Sequence, residues 1–180
     1  MAVLEILTYP DPKLALKSKP VEKVDDQVKK LIDDMFETMY LSDGVGLAAP
    51  QVGVQQRIIV VDCGERSEDE PKDAPLQPRD PRAVINPEIL TREGNIVWEE
   101  GCLSVPGYVD EIERAQKVTV KGLDREGNPL LIEAEGLLAV CLQHEIDHLE
   151  GVLFVDRLSR LKQAMVKKKL KKKAEEQADE

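Results

Sequence analysis

The sequence predicts an α+β fold, with antiparallel or mixed β-sheets packed around one central helix, a second helix near the N-terminus and a third at the C-terminus. Two observations carry this. Residues 136–149 are apolar nearly all round: Leu137, Leu138, Val140, Cys141 and Leu142 lead into a short polar run, and Leu149, Val152, Leu153 and Phe154 follow it. A helix that is apolar on every side belongs in a core. The strand-like segments succeed one another ahead of that helix instead of alternating with helices, which argues against a βαβ array.

Element by element, Val24, Val28, Leu31, Ile32, Met35 and Met39 recur at helical spacing and predict a helix over 25–40. It ends near Ser42-Asp43-Gly44. The next stretch, 44–51, is small and glycine-rich; Gly44 and Gly46 read as turn glycines at positive φ, as places where a substrate backbone comes close, or as both. Ile58-Ile59-Val60-Val61 predicts a buried strand within 57–62. Residues 63–81 are polar, acidic and proline-rich, and the insertion 65–82 is expected as a solvated loop. Short strands are expected at 83–89 and 95–99. The glycines and proline of Glu100-Gly101-Cys102-Leu103-Ser104-Val105-Pro106-Gly107 predict a tight, irregular loop. Strands at 117–124 and 130–133 flank a turn at Arg125-Glu126-Gly127-Asn128. The central helix follows, then a last helix from about Leu158. No internal repeat appears.

The chain has 180 residues, which one domain accommodates. Hydrophobic residues make up 42% and aromatic ones 3%, so the core is expected to be aliphatic. A formal net charge of −10 argues against a general nucleic-acid binder, and no sequence-specific nucleic-acid binding is expected. The first ten residues lack a basic region followed by an apolar run. No signal peptide, transmembrane stretch or membrane partner is therefore expected. Cys63, Cys102 and Cys141 form no disulfide framework, which fits the reducing cytoplasm.

The chemistry concentrates in Gln143-His144-Glu145-Ile146-Asp147-His148. His144 and His148 are the two histidines of the chain. At i and i+4 they share a helix face and can reach one metal ion, with Glu145 placed to serve water at that ion. An active mononuclear site wants a third protein ligand. One zinc-protease class takes a third His from H-E-x-x-H-x-x-G-x-x-H; here Gly151 fits but Phe154 stands where that His would be. Another class uses a Glu on a later helix. Glu150 is too near in sequence, and Glu175, Glu176 and Glu180 lie in a tail that reads as frayed. A cysteine remains. Cys102 sits in the tight loop, the usual place for a reactive side chain. Cys63 and Cys141 read better as small apolar fillers, although Cys141 can still line a pocket beside the metal.

Three motifs in order resemble those of the bacterial-type peptide deformylases: Gly44 to Gln51 the G-φ-G-φ-A-A-x-Q element (φ apolar), Glu100 to Ser104 the E-G-C-L-S element, and Gln143 to His148 the Q-H-E-x-D-H element. The resemblance covers the order of elements from about Ile6 to Leu161. It implies removal of the formyl group from the N-terminal formyl-methionine of new polypeptides, releasing formate. It implies Cys102, His144 and His148 as metal ligands, with the fourth position left to water. Iron(II) is the typical metal of such enzymes, with zinc, nickel or cobalt as substitutes; a thiolate among the ligands suits Fe(II) as well as Zn(II). Glu145 is implied as the general base and acid, and the Gln51 amide and Leu103 backbone N–H as donors to the formyl oxygen. Val45 and Gly46 are implied to contact the peptide. Leu137, Val140 and Cys141 are implied to form the methionine pocket. Glu100 and Arg114 are implied as a pair behind the metal ligands. One departure stands out: many relatives carry an Arg after the proline of the cysteine loop, where this chain has Gly107-Tyr108-Val109.

We expect a catalytic domain over 1–165 and a Lys-rich, then acidic, extension over 166–180. Residues 167–173 hold six lysines. Leu158, Leu161, Met165 and Leu170 are expected to form an apolar seam on that last helix, with a basic outer face. The resemblance implies that this helix can dock on the ribosome. Two rival readings remain open on the residues alone: a metalloprotease or other amidase, and a ribosome-binding protein with a structural metal. The latter would need four protein ligands, and no fourth is apparent.

Overall fold

The computed structural model describes residues 2–64 and 80–178. Residues 65–79, most of the expected insertion, fall outside the described residues. The elements in order are a 3-10 turn (Pro12–Ala15), α1 (Asp26–Leu41), β1 (Gly46–Ala48), a second 3-10 turn (Ala49–Val52), β2 (Ile58–Val61), β3 (Arg82–Glu93), β4 (Ile96–Cys102), β5 (Val105–Arg114), β6 (Lys117–Leu123), β7 (Pro129–Glu135), α2 (Leu137–Leu149), a third 3-10 turn (Phe154–Arg157) and α3 (Arg160–Ala178). A five-stranded sheet has the order β1-β2-β3-β6-β7, and β4-β5 forms a separate two-stranded sheet. All these pairings are antiparallel. The fold is α+β, as the residue patterns predict.

β2 explains the layering. All four of its residues are fully buried. Successive side chains of a strand point to opposite faces, so both faces of the sheet must be covered at β2. Ile59 and Val61 pack with Ala139, Cys141, Leu142, Ile146 and Leu149 of α2. Ile58 and Val60 pack with Val28, Ile32, Met35 and Met39 of α1. The central sheet therefore lies between α1 and α2, and α2 is buried along most of its length. α1 is started by Asp25, whose carboxylate accepts from the Val28 N–H at 3.0 Å. A third cluster joins the β4–β5 hairpin to the C-terminal region: Val105 and Ile112 pack with Phe154, Val155 and Val166, and with the partly buried Tyr108 and Leu170.

Three expectations are corrected. Residues 100–107 are not a free loop. Cys102 ends β4 and Val105 begins β5, leaving Leu103-Ser104 as the turn between them. Gly101 pairs with Val109 and Cys102 with Val105, so Pro106, Gly107 and Tyr108 bulge out of the ladder and absorb the turn-forming residues. The seam of α3 is also different. Leu161 and Met165 are 75% and 55% exposed, whereas Val166 is buried and Leu158 and Leu170 pack partly against the hairpin. Finally, Gly44 and Gly46 are not among the glycines at positive φ. α3 runs unbroken through residue 165. Among the described residues, no helix is long and apolar enough to cross a membrane.

Candidate metal centre

α2 brings His144 and His148 to one side, as its i, i+4 spacing requires. Their rings meet edge-on with centroids 5.0 Å apart, and the two Nε2 atoms are 3.2 Å apart. Cys102, at the end of β4, places Sγ 3.4 Å from His148 Nε2. One ligand atom from each of the three lies within 4.8 Å of the others. Two imidazole nitrogens and a sulfur aimed at one point suit a borderline-soft divalent cation. A second observation fits the same conclusion: Glu145 Oε2 is buried beside them and has no hydrogen-bond partner among the described residues.

The ligands are held from behind by a relay of charges. His144 Nδ1 lies 2.8 Å from Glu100 Oε1. A carboxylate accepts, so Nδ1 carries the proton and Nε2 keeps its lone pair for a metal. Arg114 grips Glu100 with two bonds, of 2.6 and 2.7 Å, and donates a third to Asp147 at 2.7 Å. Arg157 closes the line on Asp147 with bonds of 2.6 and 2.7 Å. Burial pushes the Glu100 carboxyl up, but the bonds from Arg114 and His144 win and hold it below the usual carboxylate range. Burial alone would lower the His144 pKa; Cys102 and Glu100 beside it hold it well above the ordinary imidazole value. His148 is pushed well below that value by burial and then by His144 and Arg114, so it is neutral. The expected Glu100–Arg114 pair is thus present. Asp147, which sequence reasoning left without a role, is its third member; its place inside the histidine motif was the available signal.

Glu145 is 4% exposed and sits with Oε1 3.8 Å from His144 Nε2. Burial raises its pKa from 4.5 to about 7. β1 passes so close that a Cβ at Gly46 would lie 2.9 Å from both Cγ and Oε1 of Glu145. Close approach, not positive φ, is what requires a glycine there. Gln51, in the 3-10 turn after β1, is 1% exposed. Its Oε1 accepts from the Ala48 N–H at 2.9 Å, which turns the amide nitrogen toward the site. That nitrogen lies 3.0 Å from Ser104 Oγ and 3.5 Å from Cys102 Sγ. Ser104, fully buried, is a site residue that sequence reasoning missed.

These groups border a cavity of about 440 Å³. Val45, Gly46, Leu137, Val140 and Cys141 line it together with Gln51, Cys102, Leu103, His144 and Glu145. His148 is not among the lining residues and lies beneath the cavity floor, 1% exposed. The neighbouring Cys63 thiol and burial push the Cys141 thiol well above its ordinary value. It stays protonated, as a small pocket-lining group should. Trp98, Tyr108 and Val109 extend the wall along the hairpin. The site can thus seat an apolar side chain next to a metal, a buried carboxyl and an amide donor.

The family model for Polypeptide deformylase matches residues 3–164. A peptide deformylase of Pseudomonas aeruginosa is 54% identical over 180 residues, covering 99% of this chain and 100% of that protein. One from Alkalilimnicola ehrlichii is 53% identical over 172 residues, covering 96% of this chain and 91% of that protein. The crystal structure of peptide deformylase from Ehrlichia chaffeensis superposes with a TM-score of 0.89 at 47% identity, covering 98% of this chain and 99% of that one.

Proposed function

The chain belongs to the peptide deformylase family, and from that premise we propose how its own residues divide the work. The protein is a metal-dependent hydrolase that removes the formyl group from the N-terminal formyl-methionine of newly synthesised polypeptides and releases formate. The single observation that carries the division of labour is the convergence of Cys102, His144 and His148 beside the buried Glu145.

Cys102 Sγ and the Nε2 atoms of His144 and His148 would hold the ion. When bound, a divalent ion supplies Lewis acidity, polarising the formyl oxygen and making water acidic enough to react near neutral pH. Fe(II) is our assignment, with Zn(II), Ni(II) or Co(II) as replacements, because the mixed sulfur and imidazole set suits all four. Glu145 takes the proton from the attacking water and returns it to the departing amine. Its place beside the ligand atoms suits both steps; in the metal-free protein burial raises its pKa toward neutrality. Gln51 Nε2 and the Leu103 backbone N–H donate to the formyl oxygen as negative charge grows there. Leu137, Val140 and Cys141 receive the methionine side chain, and Val45 and Gly46 run alongside the peptide backbone.

Residues 1–165 are the proposed catalytic unit and 166–180 an appended tail. The six lysines of 167–173 support ribosome docking through RNA phosphates, which should weaken steeply with salt. The cytoplasm, where formylated chains emerge, is the proposed location.

The test is formate release from formyl-Met-Ala-Ser by anaerobically purified, Fe(II)-loaded protein, with acetyl-Met-Ala-Ser and unformylated Met-Ala-Ser as controls. Release from the formyl peptide alone is expected. Cleavage of the unformylated peptide would instead favour a protease, and no reaction with a full complement of metal would sink the hydrolase reading.

A further inference from the structure

Tyr108 lies in the cavity wall but within the stretch of β5 that bulges out of the β4–β5 ladder. Backbone pairing therefore does not fix it, and side chains must. Its ring stacks on the buried Phe154, with centroids 6.1 Å apart and planes at 14°. Phe154 in turn stacks on His144 at 6.1 Å. The Tyr108 hydroxyl donates to Asp110 Oδ2 at 2.5 Å. Asp110 is held by Lys162 of α3, whose ammonium lies 2.9 Å from Oδ1 and 2.8 Å from Oδ2. Val166 and Leu170 of α3 pack in the same cluster as Tyr108 and Phe154. Further along α3, Lys173 Nζ would be 3.0 Å from a Cβ placed on Gly107, so that side chain reaches the bulge.

We infer that Asp110 and Lys162 are positioning residues for substrate binding, holding Tyr108 against the cavity that takes the formyl-methionyl peptide; this rests on the deformylase reading above. Lys162 is about half exposed, at 52%, and Asp110 is 13% exposed. A pair half in solvent contributes modestly, so the expected effect on binding is about three- to fivefold. Neither residue reaches the metal ligands or Glu145, so the effect falls on KM and not on kcat. In this chain the outer helix thereby takes part in shaping the substrate cavity.

The experiment measures kcat and KM of the full, metal-loaded chain on the uncharged substrate formyl-Met-Ala-Ser amide, with metal content and Tm on the same samples. Lys162→Met keeps the apolar stem and removes the charge. It should raise KM about three- to fivefold with kcat within about twofold and metal content unchanged. Lys162→Arg should restore KM. Lys162→Met combined with Tyr108→Phe should be no worse than Tyr108→Phe alone. Added salt should bring the KM of the unmodified chain toward that of Lys162→Met, whose own KM stays flat. An unchanged KM in Lys162→Met overturns the inference, as does a joint fall of kcat and metal content or a failure of Lys162→Arg to rescue. If the unmodified chain itself releases no formate, the deformylase reading fails and the clamp falls with it. Failure in the variants alone condemns only the clamp.

Discussion

The two histidines and the cysteine reach one point from regions held in different ways. His144 and His148 ride on a helix packed against the central sheet, and their mutual geometry follows from four residues of helix. Cys102 ends a strand of a separate two-stranded sheet. Two strands alone are marginal, so the hairpin depends on what fastens it: Arg114 on Glu100 and Asp147, and the packing of Phe154 and α3. The half of the site on the core is fixed by local periodicity. The half on the hairpin is fixed by buried charges and long-range contacts. A metal ion bridging the halves would close the same junction.

The comparison breaks most strongly at Arg114. Arg114→Met leaves Glu100 buried without its cation, and the loss of one partner of a buried pair costs about 3–5 kcal/mol. Denaturant unfolding should show that loss, and metal affinity should fall about 10–100-fold. Amide exchange should quicken across β4 and β5 before α2; equal loosening of both would contradict the division. The next effect belongs to the core half. Gln51→Ala removes a donor fixed by the Ala48 N–H and should lower kcat about 10²–10³-fold, some 2.7–4 kcal/mol, while the buried Ala48 N–H left unpaired should cost a further, smaller loss of about 1–3 kcal/mol in unfolding. A third prediction concerns the metal-free protein. Glu145 lies in the field of His144, Glu100, Arg114 and Asp147, and burial raises its pKa from 4.5 to about 7. A carboxyl so raised binds its proton more tightly folded than unfolded, so stability is intact below the unfolded value and lost as pH rises through the folded one. Glu145→Gln should match the unmodified metal-free protein near pH 4 and exceed it by up to about 3 kcal/mol by pH 8. Parallel stability curves across that range would contradict the assignment.

The same contrast decides what the sequence reveals. The helix expected at 25–40 stands at Asp26–Leu41, and the strand expected within 57–62 at Ile58–Val61, because their apolar periods match a core on both sides of the sheet. The His-x-x-x-His spacing likewise encodes its own geometry. β5 was hidden because its pattern is inverted: Asp110 and Arg114 turn inward while Val109 stands 56% exposed. Inward charges make sense only once Lys162, Glu100 and Asp147 are in place across the chain. The seam of α3 failed for a related reason. Leu161 and Met165 look like core residues on the helix alone, but the hairpin meets Val166 and Leu170. Gly46 shows a third limit, since its reason is the Glu145 side chain of a distant helix and not its own backbone.

The core half carries the proton transfer, and the three ligands hold the ion without it. The most direct measurement takes Fe(II)-loaded Glu145→Gln and reads metal per chain and formate released from formyl-Met-Ala-Ser on one sample. A full complement of metal is expected, with formate release lowered at least about 10²-fold. Release at the unmodified rate with metal in place would contradict this division.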